Sequence, residues 1–335
     1  MGTSLERSTT PIIRLAHPLA FAAFLRHIGA PVERHLRSQG LPVLCDSPDV
    51  FVPLRRAWGF FDTAAQSEDP MLGWYAGRFV GDNNLHSAFL SKLETAPTLY
   101  HALKRLIRMI SSEASHLQLG IVERRDDILF YTHYPTNKDM PGYSSSQAYQ
   151  LEAYLDLIRH FLGRRWVPQE MGIEYPIVPE VVDEHFGGCR ILTSQRLGYL
   201  AVPRALLHMA APKREPQAED GVTTELTKDL DYLETLKALI RAYLADGYPS
   251  AQKMAAAMDT SVRTMARRLS AQGLSYRAVL DEVRFESAKQ LLLVRDTRIS
   301  EVARAVGFDD PSHFSRLFRR IGGLSPRQYR RGDLG

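Results

Sequence analysis

Residues 299–331 read ISEVARAVGFDDPSHFSRLFRRIGGLSPRQYRR. A short helix over about 299–306 keeps Ala303 small where two helices cross. Gly307 follows four residues later, where a tight turn wants a positive φ. Asp310 and Pro311 make a strong helix start: a capping carboxylate, then proline at the first helical position. Phe314 and Phe318 point inward at i, i+4, leaving Ser312, His313, Ser315, Arg316, Arg319 and Arg320 outside. The stretch reads as a helix-turn-helix.

Residues 250–284, SAQKMAAAMDTSVRTMARRLSAQGLSYRAVLDEVR, repeat the plan. A helix over 251–258 has Ala255 at the crossing point, and Asp259 takes the turn. Aspartate tolerates a left-handed backbone, though less readily than glycine. Thr260 or Ser261 caps the next helix. Met265 and Leu269 are its inward pair, and Arg263, Thr264, Ala266, Arg267 and Arg268 are left outside. Aligning Met265 with Phe314 and Leu269 with Phe318 makes Arg267 and Arg316 equivalents, with one extra turn residue in the second copy. An amphipathic helix over 275–294 runs between the copies, its buried side marked by Tyr276, Val279, Leu280, Val283, Leu291 and Leu292. About 20 helical residues span about 30 Å. Successive major grooves on one face of B-DNA lie about 34 Å apart.

Charge follows the same division. Residues 260–280 contain no acid, yet hold Arg263, Arg267, Arg268 and Arg277. Residues 311–332 also contain none, and hold six arginines. A cationic helix edge without carboxylates suits a polyanion. From 221 onward there are 19 Lys+Arg against 14 Asp+Glu, whereas residues 1–220 hold 23 against 24, so the positive excess belongs to the last third.

Residues 211–225 open with APKREPQAEDG, polar and carrying two prolines, and read as a linker. It separates a domain over 12–210 from a helical domain over 226–332. Residues 1–11 read as a loose tail and 17–114 as mostly helical. The clearest helix is 98–115, with Leu99, Leu103, Leu106, Ile107 and Ile110 on one face. Strands are expected over 116–123 and 128–134, a helix over 145–162, and further strands near 167–173, 190–193 and 197–202. The expected fold class is α+β: a mixed α/β N-terminal effector or dimerisation domain, then an all-α C-terminal domain whose two helix-turn-helix units are joined by a long helix.

Residues 288–331, AKQLLLVRDTRISEVARAVGFDDPSHFSRLFRRIGGLSPRQYRR, resemble the C-terminal signature of AraC/XylS-type transcription regulators, and 250–284 resemble their first helix-turn-helix. The resemblance implies a bacterial, sequence-specific activator or repressor that binds promoter DNA and works with RNA polymerase. It places recognition helices at 261–272 and 311–321, in adjacent major grooves. Base-reading positions carried over are Arg263 and Arg267 in the first, and Ser312, His313 and Arg316 in the second. Two residues depart from the pattern: Ala266 replaces a longer polar residue, and Asp259 replaces a small one. The N-terminal part resembles the effector domains of ornithine- and virulence-regulator members. This rests on its helices, the hairpin at 120–134 and the segment GRRWVPQEMGIEYPIV (163–178). It does not resemble the cupin barrel of the arabinose regulator.

Arg267 and Arg316 are each able to reach a guanine edge bidentately, the alternative being a phosphate contact. For His313 a capping or phosphate role competes with base reading. Arg319 and Arg320 suit phosphates better than bases. Trp74, Tyr131, His133 and Tyr134 are the candidate aromatic pocket for a small effector, with core packing as the default reading. Cys45 and Cys189 form neither a disulfide framework nor a zinc pattern, so no metal and a reduced, cytoplasmic setting are expected. No nucleophile elbow surrounds Ser144–Ser146, and no phosphate loop is present, so neither an enzyme nor a cofactor is expected. There is no run of about 18 apolar residues and no signal-peptide pattern, so no membrane span is expected. A homodimer that regulates without an effector stays open beside the effector-modulated reading.

Overall fold

The computed structural model describes residues 10–43, 50–83, 92–135, 139–176, 182, 186–211, 232–244, 246–293 and 297–331. In chain order they begin with β1 (Ile12–Arg14), α1 (Ala16–His27), α2 (Val32–Ser38), β2 (Phe51–Pro53), α3 (Leu54–Ser67), α4 (Leu72–Asp82) and α5 (Leu99–Met109). Next come β3 (Gln118–Glu123), β4 (Asp127–His133), α6 (Tyr143–Leu162), β5 (Glu170–Gly172), β6 (Arg190–Leu192) and β7 (Gly198–Pro203). The rest is helical: α7 (Tyr232–Tyr243), α8 (Ala251–Ala257), α9 (Val262–Ser270), α10 (Tyr276–Leu293), α11 (Ile299–Ala305), α12 (Pro311–Gly322) and α13 (Pro326–Arg331). The class is α+β. Among the described residues no helix is long and apolar enough to cross a membrane.

The chain divides into two units that interleave along the sequence: 16–39 with 54–228, and 1–15 with 40–53 and 229–335. The expected linker, apart from Ala211, and the tail over 1–9 lie outside the described residues.

The α/β unit is built on a five-stranded sheet in the order β3-β4-β7-β5-β6. Only β5 and β6 pair in parallel. Along β4 burial alternates, so Ile128, Phe130 and Thr132 share one face and Tyr131 and His133 the other. The inward face packs on Leu99, Leu103 and Leu106 of α5 and on Leu151, Leu155 and Ile158 of α6. Thr98 caps α5, accepting from the His101 amide. Helices α4 and α6 lie against each other because α4 presents glycine every fourth residue. A Cβ on Gly73 would fall 2.3 Å from the Ser145 carbonyl oxygen, and one on Gly77 2.6 Å from the Glu152 Cβ.

The helical unit starts with a ribbon that the sequence pattern does not announce. Strand β1 pairs antiparallel with β2, Ile13 opposite Val52, and every residue of both is buried. Three-residue strands are too short to show a period of two. Strand β2 packs on α7, and Thr10 Oγ1 donates 3.0 Å to the Met258 carbonyl beyond α8. The second helix-turn-helix has its own core of Ala288, Leu292, Val302, Ala303, Val306, Phe314 and Phe318. Each phenylalanine buried there contributes about 1.5–3 kcal/mol.

Candidate nucleic-acid interface

The two helix-turn-helix units close their turns with the same bond. The Thr260 amide donates 2.9 Å to the Ala255 carbonyl, and the Phe308 amide donates 2.9 Å to the Ala303 carbonyl. The residue before each donor, Asp259 or Gly307, has φ of +47° or +76°. Ala255 and Ala303 are buried at the crossings. Side chains cap both following helices: Ser261 Oγ accepts from the Thr264 amide at 3.0 Å, and an Asp310 carboxylate oxygen from the Ser312 amide at 2.7 Å. The Ser312 amide, with His313 and Arg316 nearby, holds the Asp310 carboxyl below the usual aspartate range.

Met265 and Leu269 in α9, like Phe314 and Phe318 in α12, are buried. Arg263 and Arg267 are exposed on α9, as are Ser312, His313, Arg316, Arg319 and Arg320 on α12. The remaining three candidates are engaged locally. Thr264 Oγ1 is 2.9 Å from Ser261 Oγ within the cap. Arg268 is half-buried, its guanidinium 4.8 Å from the Tyr232 ring centre. Ser315 Oγ donates 2.8 Å back to the Pro311 carbonyl. Arg320, though exposed, donates 2.6 Å to Asp281 on α10.

Helix α10 connects the copies. Val279, Leu280, Val283, Ala288 and Leu292 are buried along it, while Leu291 is half-buried. Tyr276 Oη donates to the Pro249 carbonyl, anchoring the helix start. Arg284 is buried in the same stripe. Its Nη2 donates 2.6 Å to the Gly307 carbonyl, and its guanidinium lies 4.3 Å from the Phe308 ring centre and 5.1 Å from that of Tyr248. Burial draws the Arg284 pKa down, and Asp281 opposes that shift. Arg284 therefore ties the spacer helix to the turn of the second copy. The sequence reading missed it, although an arginine between Leu280 and Ala288 at steps of four was the available signal.

The four aromatic candidates of the α/β unit do not form one group. Trp74 is core, edge-on to Phe186 at 5.6 Å. Tyr134 is buried edge-on to Trp58 at 4.9 Å. Tyr131 lies across Gly120, where its ring would meet an added Cβ. His133 Nδ1 is 3.4 Å from Glu174 Oε1. That buried carboxylate also accepts from Gln147 Nε2 and the Gly198 amide. A second acidic centre, Glu170, accepts from Arg124, Arg190 and Tyr199. Burial would raise the Glu170 pKa, but these three donors outweigh it and hold it low. Tyr199 is pushed up to about 12, by burial first and then by Glu170. Among the described residues no group of three or more His, Cys, Asp or Glu side chains could hold a metal.

The family model described as "Arabinose-binding domain of AraC transcription regulator, N-term" matches residues 29–211, and one described as "Helix-turn-helix domain" matches 254–332. The chain is 36% identical over 115 residues to the transcriptional activator NphR of a Rhodococcus species, covering 33% of this chain and 34% of that protein. It is 33% identical over 132 residues to the ornithine utilization regulator of Pseudomonas aeruginosa, covering 39% of each. The chain thus spans little more than a third of the length of these curated relatives. A crystal structure of the DNA-binding domain of AdpA, a global transcriptional factor in complex with a target DNA, is 32% identical over 31% of this chain and 93% of that one, with a TM-score of 0.28.

Proposed function

Because the chain belongs to the AraC-type transcription regulators, we propose that it binds promoter DNA through α9 and α12 in adjacent major grooves. The observation that carries this reading is the duplicated turn, which leaves Arg267 and Arg316 exposed at equivalent positions on helices without acids. Each pairs bidentately with a guanine edge. Arg263, Ser312 and His313 complete the base-reading set. Arg319 takes phosphate, and Arg320 does so by leaving Asp281. Thr264, Arg268 and Ser315 hold the helices in place and reach DNA only by releasing their present partners. DNA binding resides in 226–332, and RNA polymerase is the second partner. The protein works in the cytoplasm.

Residues 12–210 supply the control. We assign a small-molecule effector to this part, bound on the sheet face that carries Tyr131 and His133. A ligand shifts the equilibrium only through different affinities for the DNA-competent and incompetent states. A second reading, dimerisation without an effector, draws support from Trp74 and Tyr134 being spent on packing.

Nuclease protection of upstream DNA by the purified full chain tests the main reading. Two protected segments about one helical turn apart are expected. Equal protection of random sequence would overturn it. A thermal-shift screen against amino acids, fatty acids and aromatic acids separates the two control readings: stabilisation by one class supports an effector, and none supports the dimer.

A further inference from the structure

Beside the second recognition helix lies a cavity of about 430 Å³, between α10 and α12. That volume falls in the range of small-molecule sites, about 300–1,000 Å³. Its charge is one-sided: Arg277, Arg284, Arg316 and Arg320 line it, against a single carboxylate, Asp281. A concave surface with such an imbalance focuses field toward an anion. Its apolar lining sets two aromatic rings, Tyr248 and Phe308, beside Leu280 and Leu317. Tyr248 is 59% exposed, and the Arg284 guanidinium lies 5.1 Å from its ring centre and 4.3 Å from that of Phe308. Arg284 is only 6% exposed, and its Nε–H has no acceptor among the described residues. A buried charged group with an unused donor is a costly arrangement.

We propose that this cleft is a seat for a small planar aromatic carboxylate, and that filling it disables the second recognition helix. The carboxylate lies between Arg277 and Arg316, and the ring stacks on Tyr248 beside Arg284. A duplex phosphate offers the charge but no flat apolar body for Tyr248 and Phe308. Arg316 is shared between this seat and the guanine edge, so the ligand and the second half-site compete for one guanidinium. The competition half of the proposal rests on the promoter-binding reading; the site itself does not.

The test uses the full chain and 2-naphthoate. Controls are 2-naphthalenemethanol, which has the ring without the charge, and inorganic phosphate, which has the charge without the ring. Saturable binding of 2-naphthoate alone is expected in calorimetry, with protection lost over the second half-site and kept over the first. Tyr248→Ala and Arg277→Gln should each weaken 2-naphthoate about tenfold. Tyr248→Ala without ligand should bind operator within about twofold of the parent. The proposal is overturned by absence of saturable binding, by equal binding of phosphate, or by both variants binding 2-naphthoate as the parent does. It is also overturned if operator binding persists unchanged at saturating 2-naphthoate. A chain that protects no operator at all sinks the promoter reading, while the calorimetric titration still decides the cleft.

Discussion

Asp259 and Gly307 hold the same place in two copies of one turn, at φ of +47° and +76°. The backbone demand is equal, but the residues meet it differently. Left-handed backbone costs an L side chain about 1–2 kcal/mol, less for aspartate. Asp259→Gly should therefore raise the stability of the helical unit, by up to about 1 kcal/mol. Gly307→Ala should lower it by more, because the new Cβ sits 3.0 Å from the Gly247 carbonyl and 3.1 Å from Arg284 Nη2. Denaturant unfolding of the full chain measures both; negligible effects of both substitutions would show that neither turn is constrained by its left-handed backbone.

Arg267→Ala and Arg316→Ala should each cost operator binding about 1–3 kcal/mol while changing affinity for random duplex little. Arg319→Ala should weaken both duplexes alike and reduce the salt slope by about one. Fluorescence anisotropy on the two duplexes across a salt series separates the classes. Parallel losses for Arg267→Ala would assign that side chain to phosphate.

Arg284→Met should destabilise the helical unit by about 1–3 kcal/mol, since the Gly307 carbonyl loses its donor. Lysine should not restore it, because an ammonium cannot stack on Phe308 while reaching the same oxygen. Urea unfolding of both variants decides this, and a fully stable Arg284→Lys would refute the role assigned to the planar group.

Glu170 gives a pH signature in the other unit. Its folded pKa is held below the unfolded value of about 4.3, so its stabilisation is complete above that pH. It is lost as pH falls through the folded pKa. Glu170→Gln should lower stability at neutral pH by about 1–3 kcal/mol and flatten the acid limb below about pH 4. An unchanged acid limb would mean that Glu170 titrates normally in the folded chain.

The helical unit was legible because its signals are local. A cap, a turn residue and an i, i+4 inward pair all lie within about 20 residues of one another. Asp310, Gly307, Phe314 and Phe318 each fell where their chemistry placed them. What escaped depends on residues distant in sequence. Arg284 has meaning only once Gly307 and Tyr248 are beside it. Glu174 gains its partners from Gln147, Gly198 and His133, on three separate elements. The aromatic candidates were chosen for chemistry alone, and packing had already claimed Trp74 and Tyr134.

The ribbon of β1 and β2 bears on how such a chain could be recombined. The polypeptide crosses from one unit to the other at 15/16, 39/40, 53/54 and 228/229, so no single cut separates them. A graft that joined another protein's control half to this chain at about residue 226 would strip α7 of Phe51 and Val52 in β2, leaving an apolar wound on the transplanted half. A workable hybrid must carry the early strands along, which binds the inheritance of the opening segment to that of the closing one.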